Sequence, residues 1–477
     1  MSKYSSLSDL QSALRSGQTS CRAMVDHYLS QIEKHRALNA YVEVWEAEAR
    51  RQADALDARL RDEPAGLGRL FGLVISIKDN ICYAGHLVTA ASKVLEGFRS
   101  LYSATAVERL LAEDAIIIGR TNCDQFGMGS SNENSVYGPV RNALDPDRVP
   151  GGSSGGAAVA VQTDTCLAAL GSDTGGSVRQ PAAFCGLWGF KPTYGRISRH
   201  GLLAYGSSFD QIGVLAHQPG DIAALLTVMA GPDEYDSTAS AGRSARLPIL
   251  QGTPARITYF PQTMDNAAID QSLRSVAQAY IEALRKQGHS VEPVDFDLLD
   301  FIIPTYYVLT TAEASSNLAR YDGLRYGYRS PGARNLEENY VWSRSQGFSA
   351  EVKRRILLGT FVLSSGYYDA YYTKAQQARQ LIRQRILTIL ENCDFILMPV
   401  APSVAWKFGE KSADPVAMYL SDIYTVLANL AGVPALAFPA GSHPDNGMPV
   451  GLQLMGGYWE EDRLLAFGNG LAAAQTQ

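Results

Sequence analysis

The sequence predicts an α/β protein: one sheet covered by helices on both faces, carrying a helical insertion. Three observations predict it. The short apolar runs "LVISIK" (73–78), "AIIIG" (115–119) and "CLAAL" (166–170) are bounded by turn residues and do not alternate. Such runs fit strands buried on both sides. Helical stretches such as "SATAVERLLAED" (103–114) lie between them. The pattern is then mostly helical over about 265–390, before "FILMPV" (395–400), "ALAFPA" (435–440) and "VGLQLMG" (450–456) supply further strands.

The chain should open on helices. Ser8 with Gln11 reads as a capping box, and Gly17 as the stop. A second helix, from about residue 19, puts Met24, Tyr28 and Ile32 on one face. A third, polar helix should span about 45–61 and end at "DEPAG". Within the insertion, "IDQSLRSVAQAYIEALRKQG" is amphipathic and stops at Gly288, and 367–392 reads as one long helix with a basic face. No repeat or low-complexity linker divides the chain. The expected organisation is a single domain over 1–477. It would comprise N-terminal helices (about 1–62), a core (about 63–260), the helical insertion (about 265–390) and returning strands with a helix (about 391–477).

Bulk properties exclude several classes. The 477 residues are 46% apolar with a formal net charge of −6, which argues against disorder and against a dominant nucleic-acid surface. The six cysteines form no C-x-x-C pair and no zinc spacing with histidine, so they read as reduced, cytosolic thiols. The polar start "MSKYSSLSDLQ" lacks the apolar core of a secretory signal, and no run of about 18 apolar residues predicts a membrane span.

The chemistry concentrates in residues 151–181, "GGSSGGAAVAVQTDTCLAALGSDTGGSVRQP". Glycine this dense costs chain entropy, so the backbone there needs φ > 0 or a close approach. A phosphate loop would need a lysine after the glycines, and none follows. G-x-S-x-G is matched at 152–156, centred on Ser154, but a nucleophile elbow follows a strand and here "NALDPDRVP" precedes it. One such loop is as readily a tight turn. Two in succession, followed by "RQPAAFCGLWGFKPT", favour a site.

A nucleophilic serine needs a base. None of the seven histidines sits in a glycine-rich setting, although position alone excludes none of them. Lys78, closing "LVISI" and followed by Asp79-Asn80, is the other candidate; on its own it reads equally as a strand-end lysine reaching solvent. Cys123 has no glycine-flanked context and reads as a packed thiol rather than a nucleophile.

Together, "PGGSSGG", "GSDTGGSVRQPAAFCGLWGFKPTYGR" and the upstream lysine resemble the amidase signature family. The resemblance implies an α/β/α fold on a large mixed sheet and a Ser–cis-Ser–Lys triad. Ser177 would be the nucleophile and Lys78 the base. Ser153 would bridge them, with a cis peptide link to Gly152 or Ser154. Lys78 can act only when neutral, so burial must lower its pKa from about 10.4 by about 3, worth about 4 kcal/mol. The backbone N–H groups of Thr174, Gly175, Gly176 and Ser177 would form the oxyanion hole. Arg179 reads as structural.

The C-terminal half points to one branch of that family. "AEASSNLARYDGLRYGYR" (312–329), "GFSAEVKRRILLGTFVLSSGYYDAYYTKAQQARQLI" (347–382) and "NLAGVPALAFPAG" (429–441) resemble the glutaminase (A-type) subunits of glutamyl-tRNA(Gln) amidotransferases. That resemblance implies a glutaminase with no cofactor of its own. It would supply ammonia to B and C subunits, with ATP and magnesium at B and the tRNA contacted mainly through partners. Glutamine would be held by Tyr306, by Arg355 on its α-carboxylate and by Asp422 on its α-ammonium; Arg354 is a neighbouring rival. Glu-tRNA(Gln), with Asp-tRNA(Asn) as a second candidate, would be amidated in the cytoplasm. The alternatives are a stand-alone amidase for another small amide and a non-catalytic scaffold. Val74, Ser76, Cys123 and Gln125 depart from the family pattern without touching the proposed triad. Arg320, Arg325, Arg329, Arg379 and Arg383 read as solvated or partner-facing.

Overall fold

The computed structural model describes residues 4–242, 253–265, 269–412 and 414–476. Its strands are β1 (Tyr41–Val44), β2 (Val74–Lys78), β3 (Ile116–Thr121), β4 (Ala168–Asp173), β5 (Trp188–Lys191), β6 (Gln211–Ala216), β7 (Arg256–Tyr259), β8 (Ser290–Pro293), β9 (Phe395–Pro399), β10 (Ala435–Ser442) and β11 (Pro449–Met455). They form one 11-stranded sheet in the order β1-β3-β2-β4-β6-β5-β10-β11-β9-β7-β8. The sheet is mixed. β3, β2 and β4 run parallel, as do β9, β7 and β8, and the strands between are antiparallel.

Helices cover both faces, and the side-chain alternation of the strands shows it. Phe395 and Leu397 of β9 enter one hydrophobic core while Ile396 and Met398 enter another. Successive strand residues point to opposite faces, so a strand feeding two cores is apolar throughout. That is why the contiguous apolar runs mark strands. The first core gathers the N-terminal helices, the helices Gly155–Gln162 and Pro219–Met229, and the C-terminal helix. The second is built by the helices Leu299–Asn317, Lys374–Asn392 and Val426–Ala431.

The structure corrects several local expectations. The first helix is Leu7–Arg15, capped by the Ser6 side chain on the Asp9 N–H, so the Ser8–Gln11 capping box does not form. Gly17 does end that segment, at φ 71°. The expected helix over 367–392 begins with a π-helical turn, Asp369–Thr373, before Lys374–Asn392. β8 lies inside the stretch read as helical. It is a sheet edge, where Pro293 removes no needed ladder donor. Arg379 is neither solvated nor outward. Its guanidinium binds Ser208 and the Leu430 carbonyl, and lies 4.0 Å over the Phe209 ring. No described helix is long and apolar enough to cross a membrane.

Candidate active site

The site is assembled at the carboxyl ends of two neighbouring parallel strands. Lys78 is the last residue of β2, and Ser172-Asp173 close β4. The apolar residues that bury β2 also bury its terminal lysine, which is fully enclosed. Lys78 Nζ lies 2.7 Å from Ser153 Oγ, 2.9 Å from Ser154 Oγ and 2.9 Å from Ser172 Oγ. All three partners are hydroxyls, which can donate as well as accept. The amine is therefore satisfied in either protonation state, unlike a lysine held by a carboxylate. Burial lowers its pKa to about 8, against the opposing pull of Cys123, Asp124, Asp173 and Asp210.

Ser153 follows a cis Gly152–Ser153 peptide bond and is fully buried. Gly152 is wedged: a Cβ there would sit 2.2 Å from an Asp124 carboxylate oxygen. Ser154 does not occupy an elbow. It precedes the helix Gly155–Gln162, and its hydroxyl binds Lys78 and the Ser172 carbonyl. Ser177 lies one loop away and is partly exposed. Its carbonyl accepts from the Ser154 N–H at 3.1 Å, which ties the two serine loops together. Its hydroxyl makes no hydrogen bond among the described residues. The structure thus joins Lys78 directly to Ser153 and places Ser177 beside them, at the open side.

The loop after β4 shows the close approach expected of its glycines. A Cβ at Gly175 would sit 2.4 Å from the Tyr306 hydroxyl, and one at Gly176 would sit 2.2 Å from Thr425 Oγ1. Close packing demands glycine at both. The Gly176 N–H donates to Asp173 at 2.8 Å, so it is withdrawn from the expected oxyanion set. The N–H groups of Thr174, Gly175 and Ser177 have no hydrogen-bond acceptor among the described residues. Gly176 also has φ 120°, outside the range of ordinary residues. Gly176→Ala is therefore expected to shift this loop, cutting turnover at least tenfold at a stability cost of about 1–3 kcal/mol. Ammonia release and a thermal midpoint measured together check it.

Asp173 is the loop's anchor. It accepts from Gly176 and Val178, from both Arg179 Nε and Nη2 at 3.1 Å, and from Asn429. Burial alone would raise its pKa, but Arg179, Lys191 and Asn429 outweigh that and hold it near about 2. Arg179 is itself fully buried and also reaches Gln453 and Asn429. Arg179→Ala would strand a buried carboxylate, at an expected cost of about 3–5 kcal/mol. A lowered urea midpoint with unchanged slope is the check.

The three residues expected to hold substrate converge beside this loop. Tyr306, on the helix Leu299–Asn317, is buried with its ring edge-on to Phe209. Arg355, on the helix Ala350–Val362, is almost wholly buried, whereas Arg354 is exposed and pairs with Glu351. Arg355 Nε pairs with Glu351 at 2.8 Å and Nη1 donates to the Tyr205 hydroxyl at 2.8 Å. Its Cζ lies 5.4, 5.3 and 5.5 Å from the ring centroids of Tyr205, Tyr307 and Tyr419. Its Nη2 makes no hydrogen bond among the described residues. Asp422 accepts from Ser130 at 2.7 Å, from the Tyr307 hydroxyl at 3.1 Å and from Gln180 at 3.4 Å. Burial raises its pKa to about 6, against those hydrogen bonds and the Arg355 charge. A cavity of about 260 Å³ opens here, lined by Ser130, Glu351, Arg355, Lys411 and Tyr419 among others.

Several participants were not anticipated. Ser154, marked only by the G-x-S-x-G match set aside above, and Ser172, which no local pattern marks, complete the lysine's surroundings. Tyr307 adjoins the expected Tyr306. Glu351 stands four residues before Arg355, a helical pair the sequence does display. Gln125, one of the departures, accepts from the Ser349 N–H at 2.7 Å, and Ser349 caps the helix carrying Arg355. Cys123 is fully buried, and burial pushes its thiol far above the ordinary range, so it is no nucleophile. Among the described residues, no histidine bonds Ser153, Ser154 or Ser177, and no group of three or more His, Cys, Asp or Glu side chains is placed to hold a metal.

Comparison with known proteins places this arrangement. The chain is 51% identical over 467 residues to the A subunit of the glutamyl-tRNA(Gln) amidotransferase of Chlorobium luteolum, covering 97% of this chain and 96% of that protein. It is similar to the crystal structure of the corresponding glutamyl-tRNA(Gln) amidotransferase A subunit from Thermotoga maritima, with TM-score 0.77 and 34% identity over 94% of this chain and 91% of that one. The native peptide amidase of Stenotrophomonas maltophilia matches with TM-score 0.80 and 26% identity over 99% and 97% of the two chains. The amidase family model matches residues 23–465. With the family's match spanning both serine loops, the lysine strand and the returning strands, the chain belongs to the amidase family.

Proposed function

We propose that this chain is the glutamine-hydrolysing component of a tRNA-dependent amidotransferase, its A subunit, working through Lys78, Ser153 and Ser177. The observation that carries the reading is a guanidinium and a carboxylate linked through one tyrosine, with the guanidinium lining a small cavity. Arg355 and Asp422 share Tyr307, beside the loop bearing Ser177. Glutamine offers an α-carboxylate for Arg355 and an α-ammonium for Asp422, and its terminal amide extends from those anchors. Bidentate pairing suits the guanidinium edge. The near-full-length likeness to proteins named as A subunits of glutamyl-tRNA(Gln) amidotransferase supports the same substrate.

In this reading neutral Lys78 draws the Ser153 proton as Ser153 takes that of Ser177, whose hydroxyl turns inward onto Ser153. Ser177 Oγ attacks the amide carbon. The N–H groups of Thr174, Gly175 and Ser177 receive the developing oxyanion. The proton held at Lys78 returns through Ser153 to the departing nitrogen, which leaves as ammonia. Water then cleaves the acyl ester by the reverse relay. The ammonia passes to the partner B and C subunits in the cytoplasm. There, with ATP and magnesium bound at B, it amidates Glu-tRNA(Gln) held mainly by the partners.

The test is ammonia release by the purified chain, alone and with its co-purifying subunits, from glutamine and from a panel of simple amides. Glutamine is expected to be preferred, and the partners to stimulate turnover. Strong turnover of simple amides with no response to partners would overturn the reading in favour of a stand-alone amidase.

A further inference from the structure

Gln180 touches both serine loops and Asp422. It follows Arg179 in the short helix Arg179–Phe184, directly after the nucleophile loop. Its backbone N–H donates to the Gly176 carbonyl at 2.8 Å. Its side chain is buried and makes two contacts of opposite polarity. Oε1 accepts from the Gly152 N–H at 3.2 Å, and Nε2 donates to Asp422 at 3.4 Å. The orientation of the amide is dictated by its neighbours, because a backbone N–H can only donate and a carboxylate accepts. One planar group therefore connects the residue preceding Ser153 to the carboxylate assigned to the substrate ammonium.

We propose that Gln180 is a positioning residue that couples occupancy of the ammonium site at Asp422 to the placement of Ser153. This rests on the glutamine reading above and deepens it. A carboxylate fixed by a bound ammonium holds Nε2 in place. The amide plane then aims Oε1 at Gly152 and steadies the serine that receives the Ser177 proton. A substrate without an ammonium leaves Asp422 tethered only by Ser130, Tyr307 and Gln180, and the brace slackens. Gln180 would thus make the ammonium count in the turnover step, where Asp422 alone would make it count only in binding. Two further features fit a brace. Gly152 is already confined on its other side by Asp124 and by the Ser131 and Asn132 N–H groups, so the Gln180 side is where it can be adjusted. Both contacts of Gln180 lie at the long end of the hydrogen-bond range, which leaves room for tightening on ligand binding.

The experiment compares glutamine with glutaramate, the same amide and carboxylate lacking the ammonium, using the full-length chain with its co-purifying subunits. The readout is the ratio of the two kcat values. In Gln180→Leu that ratio is expected to fall at least tenfold from the native ratio. In Gln180→Glu an acceptor for Gly152 is kept but the donor to Asp422 is lost, and the ratio is expected to fall likewise. This second variant serves if the first does not fold, and thermal midpoints report folding for both. A merely structural role would lower both kcat values together, and a purely binding role would change KM alone. A ratio within threefold of native in a folded variant overturns the proposal. Failure of the native chain to hydrolyse glutamine overturns the functional reading, and this proposal with it; the native control separates the two failures.

Discussion

Lys78→Arg is expected to lower kcat/KM for glutamine by at least about 10³-fold at neutral pH, and Ser177→Ala to do the same. The arginine variant is the sharper of the two. Arginine keeps a positive charge and hydrogen-bond donors but cannot give up its proton in a protein. It would keep what a structural lysine supplies and remove only the neutral amine. The pH profile follows with a defined sign. The Lys78 pKa is about 8, so the neutral, active fraction grows about tenfold per pH unit below that point and levels off above it. Asp422, at about 6, must be ionised to hold an ammonium, so the acid limb steepens below pH 6. Rate should therefore rise with pH through both values, and Ser177→Ala should leave no limb to measure. Ammonia release from pH 5 to pH 10 is the measurement. Lys78→Arg activity within tenfold of native at pH 7 would mean that the lysine orients Ser153 without taking its proton.

How much of this was legible beforehand depends on the physical range of each signal. β2, β3 and β4 were readable because strands buried on both faces carry continuous apolar runs. β9, β10 and β11 were readable for the same reason. β1, β7 and β8 were not, since four-residue strands at or near a sheet margin carry charges such as Glu43, Arg256 and Glu292. β6 is fully buried and apolar. It escaped notice because it follows a polar turn and no helical pattern separates it from β5. The motif serines and Lys78 could be named from local sequence. The burial of Lys78 among three hydroxyls could not, because Ser172 meets it through the pairing of β2 with β4 and Ser154 through the fold of the glycine–serine loop. The capping box failed by two residues because Ser6, Ser8 and the acid at Asp9 offer overlapping cap patterns, and the tertiary bond from the Leu7 N–H to Asp221 favours the earlier start. Tyr306 and Tyr307 illustrate a subtler limit. Adjacent helical residues diverge by about 100°, so the two rings take different partners. Tyr306 packs under Gly175 and Tyr307 binds Asp422, a division invisible in a pair of identical letters.

Asp422→Asn should raise KM for glutamine and cost about 10²- to 10³-fold in kcat/KM, and Arg355→Lys should cost about tenfold or more. The size follows from burial. Removing one member of a desolvated charge pair costs about 3–5 kcal/mol when the partner is left uncompensated. A substrate ammonium facing a neutral amide is in that position. The arginine change is milder because lysine keeps the charge and loses the planar fork. It also removes the Nε contact to Glu351, which makes helix disorder the competing cause of any loss. A double change settles this: if disorder were the cause, Glu351→Gln combined with Arg355→Lys should recover activity. If the guanidinium edge grips the substrate carboxylate, it should not. The discriminating substrate is a primary amide with neither charge, such as butyramide. Its kcat/KM should change far less than that of glutamine in both variants, because neither anchor has anything to hold. Equal losses on glutamine and butyramide would place Arg355 and Asp422 in the scaffold of the cavity rather than in recognition. The glutamine assignment would then lose its geometric support, while the roles of Lys78, Ser153 and Ser177 would stand.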